Sequence, residues 1–223
     1  MNRQIKLFLV ITSLTLLSLP ISTVGYSSAM QSVDAAHDKH AEGATKQSAL
    51  QSAMRQLWED HIIWTRQFVV SALADSPDKA AVTQRLLQNQ VDIGNAIKPF
   101  YGDAAGEKLA ALLKEHIITA AELVAAVKAN DTAKAADASK RWNANADEIA
   151  TFLSGANAKA WPLEEMKTMM RAHLELTTAE VVARLHGDWS ADIAAYDKVH
   201  TQILHMADML SAGIVSQFPR KFE

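Results

Sequence analysis

Helix-breaking residues recur along this chain at intervals that suit one long helix each. The breaks are Ser76-Pro77, Gly102-Asp103, Asn130-Asp131, Ser154 to Pro162 and Gly187-Asp188. Each combines a residue that caps helices with glycine, proline or asparagine, as helix ends do. Between the breaks the chain is rich in Ala, Leu, Lys, Glu and Gln, which are strong helix formers. The sequence therefore predicts long helices joined by short turns.

The breaks define six expected helices. Their ranges are 46–74, 77–100, 104–129, 132–154, 162–186 and 189–217. Connections of only a few residues force consecutive helices to run antiparallel. We therefore expect an all-α fold, an up-and-down antiparallel bundle of six long helices arranged as three helical hairpins.

The N-terminal residues 1–29 have the pattern of a secretory signal peptide. Arg3 and Lys6 give a basic start, an apolar run follows from Leu7 to Leu19, and small residues precede Met30. The run is short for a stable membrane span, although an uncleaved anchor is the alternative. This predicts a secreted, extracytoplasmic protein, extracellular or in the cell envelope, with no membrane span after the leader is removed.

The remaining chain divides into two predicted parts. Residues 30–45 are polar, small and without hydrophobic periodicity, which predicts a flexible linker. Residues 46–223 form the expected bundle domain.

Composition and motifs exclude several classes of function. The chain has no cysteine, so it can form neither disulfides nor thiolate metal ligands. Its formal net charge is −3 with Lys and Arg scattered along the helices, which predicts no nucleic-acid partner. We find no phosphate-binding loop, dinucleotide-binding glycine turn or serine nucleophile motif. The sequence therefore assigns no catalytic residue.

Three similar segments each carry one histidine on an apolar stripe. LWEDHIIWTRQFVVSAL, LLKEHIITAAELVAAVK and MMRAHLELTTAEVVARL contain His61, His116 and His173, which recur at nearly equal spacing along the chain. Each histidine precedes a residue of the next break, namely Ser76, Asp131 and Asp188, by the same number of positions. Equal counts from a turn mean equal height in antiparallel hairpins. We therefore expect the three imidazoles in one layer of the bundle.

The returning helices add further candidates near this height. His200 lies on an expected inward stripe of the last helix, together with Trp189, Ile193 and Tyr196. Asp92 and Asp147 lie on the flanks of their stripes. Bundle interiors are where metal sites are built from facing helices, and histidine is the commonest neutral nitrogen ligand.

The predicted metal ligands are therefore His61, His116, His173, His200, Asp92 and Asp147, with Tyr196 as a supporting group. The alternative for each histidine is a core residue whose nitrogens are satisfied by neighbouring side chains.

Copper, zinc and iron are the expected ions. The Glu-x-x-His pairs of di-iron bundles are absent. Methionines crowd the last two helices near His173, and thioether with imidazole suits monovalent copper, although methionines at helical spacing are also common core residues.

Several longer segments resemble a family of secreted helical proteins of soil and environmental bacteria. They are WEDHIIWTR, NQVDIGNAIKPFYG, RWNANADEIATFL, HLELTTAEVVARLHGDW and YDKVHTQILHMADML. The resemblance covers roughly residues 47–222. It implies export and an all-helical fold, and it assigns no activity and no catalytic residue.

Three functions follow from these observations, the third being an enzyme that uses histidine and aspartate for acid–base chemistry. The first is a secreted or envelope-associated bundle that binds a metal ion or small ligand through its histidine layer. The alternative is a non-catalytic structural or interaction module of the cell envelope, whose histidines are core residues and whose function lies on an exposed helix face. None names a protein partner.

Overall fold

The computed structural model describes residues 27–223, and they form an all-α bundle. The helices are α1 Ser27–Leu73, α2 Lys79–Tyr101, α3 Asp103–Lys128, α4 Thr132–Ala156, α5 Leu163–Leu185 and α6 Trp189–Gln217, followed by a 3₁₀ turn at Pro219–Lys221. Consecutive helices from α2 to α6 pack against each other. The predicted bundle of six long helices is confirmed, and the described residues include no strand.

The described residues divide into two units, one that ends at Asp38 and one of Lys39–Glu223. In the first unit the described backbone, from Ser27 onward, is helical. Residues 30–45, for which the sequence predicts a flexible linker, therefore belong to α1 in the structure; alanine, lysine and glutamine favour helix there, and Gly43 does not end it. The predicted signal peptide lies outside the described residues except for its last three, and it stays a prediction. The histidines of the predicted layer all lie in the second unit.

The turns within the three hairpins share one backbone design. In each, a residue with positive φ ends the first helix, and the next N–H donates to the carbonyl five residues earlier, which is the Schellman pattern. The positive-φ residues are Asp75, Asn130 and Gly187, with φ of 53°, 54° and 72°. The donors that follow them are Ser76, Asp131 and Asp188, at N···O distances of 2.9, 2.9 and 3.0 Å. Equivalent turns place equivalent residues of each hairpin at one height.

No helix within residues 27–223 is long and apolar enough to cross a membrane. The apolar side chains instead form an interior to which all six helices contribute. Ile93, Ala146 and Ile203 are completely buried there.

Candidate histidine site

His61, His116 and His173 form a buried layer in the bundle. Their exposed fractions are 3, 3 and 5 %. The ring centroid of His173 lies 5.9 Å from that of His61 and 6.5 Å from that of His116. The structure thus brings together three of the six predicted ligands, one from the first helix of each hairpin.

Each histidine is held by a side-chain amide on the second helix of its own hairpin. In every case the amide belongs to the residue 29 positions later in the sequence. The pairs are His61 Nδ1 with Gln90 Nε2 at 3.3 Å, His116 Nδ1 with Asn145 Oδ1 at 2.8 Å and His173 Nδ1 with Gln202 Oε1 at 3.1 Å. One contact is therefore repeated three times around the layer.

A second hydrogen bond fixes two of these amides against the first helix of their hairpins. Asn145 donates to the carbonyl of Leu112 at 3.1 Å, and Gln202 donates to that of Met169 at 3.3 Å. Both carbonyls belong to the residue four positions before the histidine. In the first hairpin a separate residue does this, since Asn89 donates to the carbonyl of Leu57 at 3.0 Å.

These contacts set the tautomers of two histidines. The amide oxygens of Asn145 and Gln202 accept hydrogen bonds, so His116 and His173 carry their proton on Nδ1. The Nε2 atom of His116 accepts a hydrogen bond from the indole of Trp142 at 3.0 Å. Both nitrogens of His116 are therefore satisfied, whereas no described residue hydrogen-bonds Nε2 of His173.

The hydrogen bonding around His61 is less complete. The amide nitrogen of Gln90 has two protons and three acceptors within reach, since it also contacts the Leu86 carbonyl at 2.8 Å and Asn89 Oδ1 at 3.2 Å. Among the described residues, Oε1 of Gln90 and the indole nitrogen of Trp58 have no hydrogen-bond partner. Buried unpaired polar atoms are uncommon and mark places where a further group binds or the structure rearranges.

All three imidazoles are held neutral. Burial is the main cause that lowers their pKa values, and it lowers the pKa of His116 to about 3. The neighbouring rings add to this effect, because a charge on His173 would repel one on His61 or His116. A neutral imidazole is the form that coordinates metals.

A small cavity of about 30 Å³ adjoins the layer. All three histidines line it, as do Met54, Met170 and Met206; its remaining walls are aliphatic and aromatic side chains, and no Asp or Glu reaches it. Apart from the Tyr101 hydroxyl, which donates to Gln217, imidazole and thioether are the donor groups among the lining side chains, and the wall itself is almost wholly apolar.

The other predicted ligands lie elsewhere. His200 Nε2 pairs with Glu59 at 2.8 Å, and both side chains are partly exposed. Asp92 accepts a hydrogen bond from Gln88 at 3.0 Å, and Asp147 pairs with Arg171 at 3.2 Å. None of the three lines the cavity beside the histidine layer.

The inward stripe expected on the last helix is wrong over its first part only, since Ile203, Ala207, Leu210 and Ile214 are buried. Trp189 and Ile193 are 58 and 55 % exposed, whereas Asp192 is buried. Asp192 accepts hydrogen bonds from Arg66 at 2.8 and 3.1 Å and from Arg184 at 2.8 Å. These ion pairs compensate the buried carboxylate. With Asp192 on the inward face of α6, His200 lies outside the layer and pairs with Glu59.

Tyr196 has a contact other than the one predicted. The guanidinium of Arg66 lies 4.7 Å from its ring centroid, so the ring packs on the buried ion pairs. Burial raises the pKa of Tyr196.

Sequence reasoning missed the amides and Met54. Asn145 and Gln202 could have been found because each follows the histidine of its hairpin by the same number of positions. Met54 lies two helical turns before His61, on the same face of α1.

Within the described part of the chain, no group of three or more His, Asp or Glu side chains is arranged to hold a metal ion. Any ligand set in this layer must therefore include other donors. No protein family model, curated protein or solved structure matches the chain.

Proposed function

We propose that this protein binds one monovalent copper ion in the cavity beside the histidine layer, through the imidazoles of His61 and His173 and the thioethers of Met54, Met170 and Met206. The observation that carries the proposal is the set of side chains around the cavity, which includes three neutral imidazoles and three thioethers. Soft thioether ligands select monovalent copper, and imidazole also suits copper.

The size of the cavity favours an ion over an organic ligand. A volume of about 30 Å³ accommodates only one or two atoms of the size of a water oxygen. Of the two ligand classes that the sequence predicts, a metal ion and a small molecule, the ion is the one that fits.

The charge of the surroundings favours copper over zinc or iron. No carboxylate reaches the cavity to neutralise a divalent ion. The cost of moving an ion out of water grows with the square of its charge, so a monovalent ion is far less costly to bury than a divalent one. Iron sites of the two-histidine type also require a carboxylate.

The amides give the imidazoles the support that metal ligands have. Metal-binding histidines donate their second ring N–H to a carbonyl or carboxylate, which fixes the ring and its tautomer. Gln202 supplies this oxygen to His173. Gln90 presents its nitrogen to Nδ1 of His61 instead. Equal support of His61 would require this amide to turn over and give up its bonds to the Leu86 carbonyl and Asn89 Oδ1.

The decisive experiment is anaerobic titration of residues 30–223 with Cu(I) in competition with a chromogenic chelator. We expect one ion per chain, with nitrogen and sulfur neighbours in the X-ray absorption spectrum. The H61Q/H173Q double variant should lose binding by at least about 100-fold, since removing a ligand costs more than removing its support. His200→Gln is the matched control and should bind as wild type does.

A second set of variants covers the case in which H61Q/H173Q fails to fold. Met170→Leu combined with Met206→Leu preserves side-chain volume and should lose two of the three sulfur neighbours, leaving that of Met54. Met169→Leu, which changes a methionine outside the cavity wall, should keep them. Absence of stoichiometric copper in wild-type protein, or equal binding by the double variants, would overturn the proposal.

The second candidate function is an interaction module of the cell envelope, favoured by the exposed pair Trp189 and Ile193. They lie one turn apart on α6 and are each more than half exposed. Co-sedimentation with envelope fractions of the source cell tests it. The W189S/I193S variant should remain in the supernatant if the pair mediates attachment, and equal recovery with wild type would exclude that role.

A further inference from the structure

A second cavity of about 70 Å³ lies beyond the histidine layer, toward the hairpin turns. It is enclosed by α1, α3 and α5 and by Trp142 of α4. The three helices contribute residues from similar positions, about two turns after each histidine. Its apolar wall includes Phe68, Val69, Leu123, Val124, Val181 and Val182.

The polar atoms near this cavity already have partners. Thr65 donates its hydroxyl proton to the His61 carbonyl at 2.7 Å, Thr177 to the His173 carbonyl at 2.9 Å, and Thr178 to the Leu174 carbonyl at 2.7 Å. The indole N–H of Trp142 is bonded to His116. The threonines therefore offer no free proton to the cavity.

A cavity of this kind does not hold water well. A buried water needs two to four polar partners, and empty apolar cavities stay dry and take apolar ligands instead. Ligand atoms that fill the space gain the dispersion contacts that the wall now lacks.

We propose that this cavity is a binding site for a small apolar molecule of about three or four non-hydrogen atoms, or for a gas atom such as xenon. The volume sets the size limit, because it is about half that of the roughly 150 Å³ engineered cavity that accepts benzene. The site is independent of the copper proposal, since none of its lining residues is a proposed copper ligand.

The rim of the cavity lies on α5. Val182 is 39 % exposed and Thr178 is also exposed, whereas Val181 and Thr177 are buried beneath them. We expect a small ligand to enter past the side chains of Val182 and Thr178.

Methyl NMR spectra under xenon pressure test the proposal on wild-type protein without copper. We expect saturable shifts at the methyl groups of Val124 and Val181, and none at Val215, which lines neither this cavity nor the one beside the histidines. Benzene should produce no saturable shift. Unsaturable or uniform changes under xenon would overturn the proposal.

Two variants locate the ligand. Ala120→Leu fills the cavity from α3 and should abolish the xenon shifts, whereas Ala125→Leu, at an exposed position on the same helix, should leave them unchanged. Val181→Ala enlarges the cavity and should create saturable benzene binding. If Ala120→Leu fails to fold, the Val181→Ala variant decides. Xenon shifts in wild-type protein without benzene binding by Val181→Ala would place the xenon elsewhere and overturn the proposal.

Discussion

Asn145 joins the two helices of its hairpin through His116. Its side-chain oxygen lies 2.8 Å from Nδ1 of the imidazole, and its nitrogen donates at 3.1 Å to the Leu112 carbonyl, one turn before His116. Because both the oxygen and the nitrogen of this amide are hydrogen-bonded within a buried layer, Asn145 fixes the ring tautomer of His116 and the register of α3 against α4.

Replacing Asn145 by alanine should be strongly destabilising. The change leaves the Nδ1–H of His116 without its buried partner and removes the bond to Leu112, and each unsatisfied group costs about 1–3 kcal/mol. We expect the free energy of unfolding to fall by about 2–4 kcal/mol in urea titrations. Asn143→Ala is the control, since that exposed amide donates to the Ser139 carbonyl of its own helix, and it should change stability by less than about 0.5 kcal/mol.

Acid should weaken the fold through the histidine layer. An unfolded imidazole titrates near pH 6.5, whereas burial lowers the pKa of His116 to about 3 in the folded protein. Below pH 6.5 the unfolded chain therefore binds more protons, and the free energy of unfolding falls by up to about 1.4 kcal/mol per pH unit for each buried histidine. This contribution of His116 is fully present above pH 6.5 and is lost progressively toward pH 3.

Urea titrations of wild type and His116→Gln between pH 7.5 and 4 measure that effect. The variant should show a smaller slope against pH, by about 1.4 kcal/mol per pH unit at the acidic end. Asn143→Ala, which changes an exposed side chain that does not titrate, should keep the wild-type slope. Parallel curves for wild type and His116→Gln would show that the layer does not carry the acid response.

Replacing Gln202 should weaken copper binding, although Gln202 is not a proposed ligand. Its oxygen accepts from Nδ1 of His173, and loss of such a support typically weakens metal affinity by about 10–100-fold. Gln202→Leu should show this loss in the chelator competition. Gln51→Leu, which changes a surface amide paired with Asp208, should not.

Arg66 should be needed to keep two carboxylates inside the bundle. It bonds to Glu180 at 2.7 Å and to Asp192 at 2.8 Å, and both acids are almost completely buried. Arg66→Met leaves this acid pair with Arg184 as its remaining cation, and breaking a buried pair costs about 3–5 kcal/mol. Thermal unfolding should reveal the loss. Arg171→Met, which breaks the exposed pair with Asp147, should cost at most about 1 kcal/mol.

The loss of stability caused by Arg66→Met should be smaller in mild acid. Burial raises the pKa of Glu180 above its usual range, while Arg66 opposes the shift. Without Arg66, Glu180 should take up a proton at still higher pH and lose its charge. A deficit in stability that stayed constant between pH 7.5 and 5 would contradict this explanation.

Gly213 should tolerate no side chain. A Cβ there would overlap the indole of Trp161, which packs directly on this part of α6. We expect Gly213→Ala to destabilise the protein by about 1–3 kcal/mol, as overpacking does, and to shift the tryptophan fluorescence. Gly155→Ala, where no atom lies within 4 Å of the new Cβ, should be neutral or stabilising because alanine favours helix. Equal melting temperatures for the two variants would show that the Trp161 side chain moves to make room for the added methyl group.

The helices and turns could be predicted from sequence because they depend on local chemistry. Glycine, asparagine and capping aspartates mark the turns, and equal counts from those turns placed His61, His116 and His173 at one height. The rotation of each helix about its own axis was harder to predict. On α6 the apolar pattern favoured Trp189 and Ile193 inside, but Asp192 is buried by pairing with arginines of α1 and α5.

The difficulty of predicting helix rotation also explains why the two aspartates lie away from the layer and why the amides were missed. Asp92 and Asp147 lie near the layer in height and point toward surface partners. Asn145 and Gln202, which serve the layer, are ordinary polar residues in sequence. Their partners lie on another helix, so only a comparison between hairpins at matched positions brings them out.

The threefold repetition of the hairpin has a kinetic consequence. Each histidine meets its amide after a loop of only 29 residues, and each loop closes through the same kind of turn. Contacts of short sequence separation form fast and require little loop-closure entropy. A chain that emerges from its N-terminus can thus complete one hairpin before the next has appeared, with little apolar surface left open to aggregation in the interval.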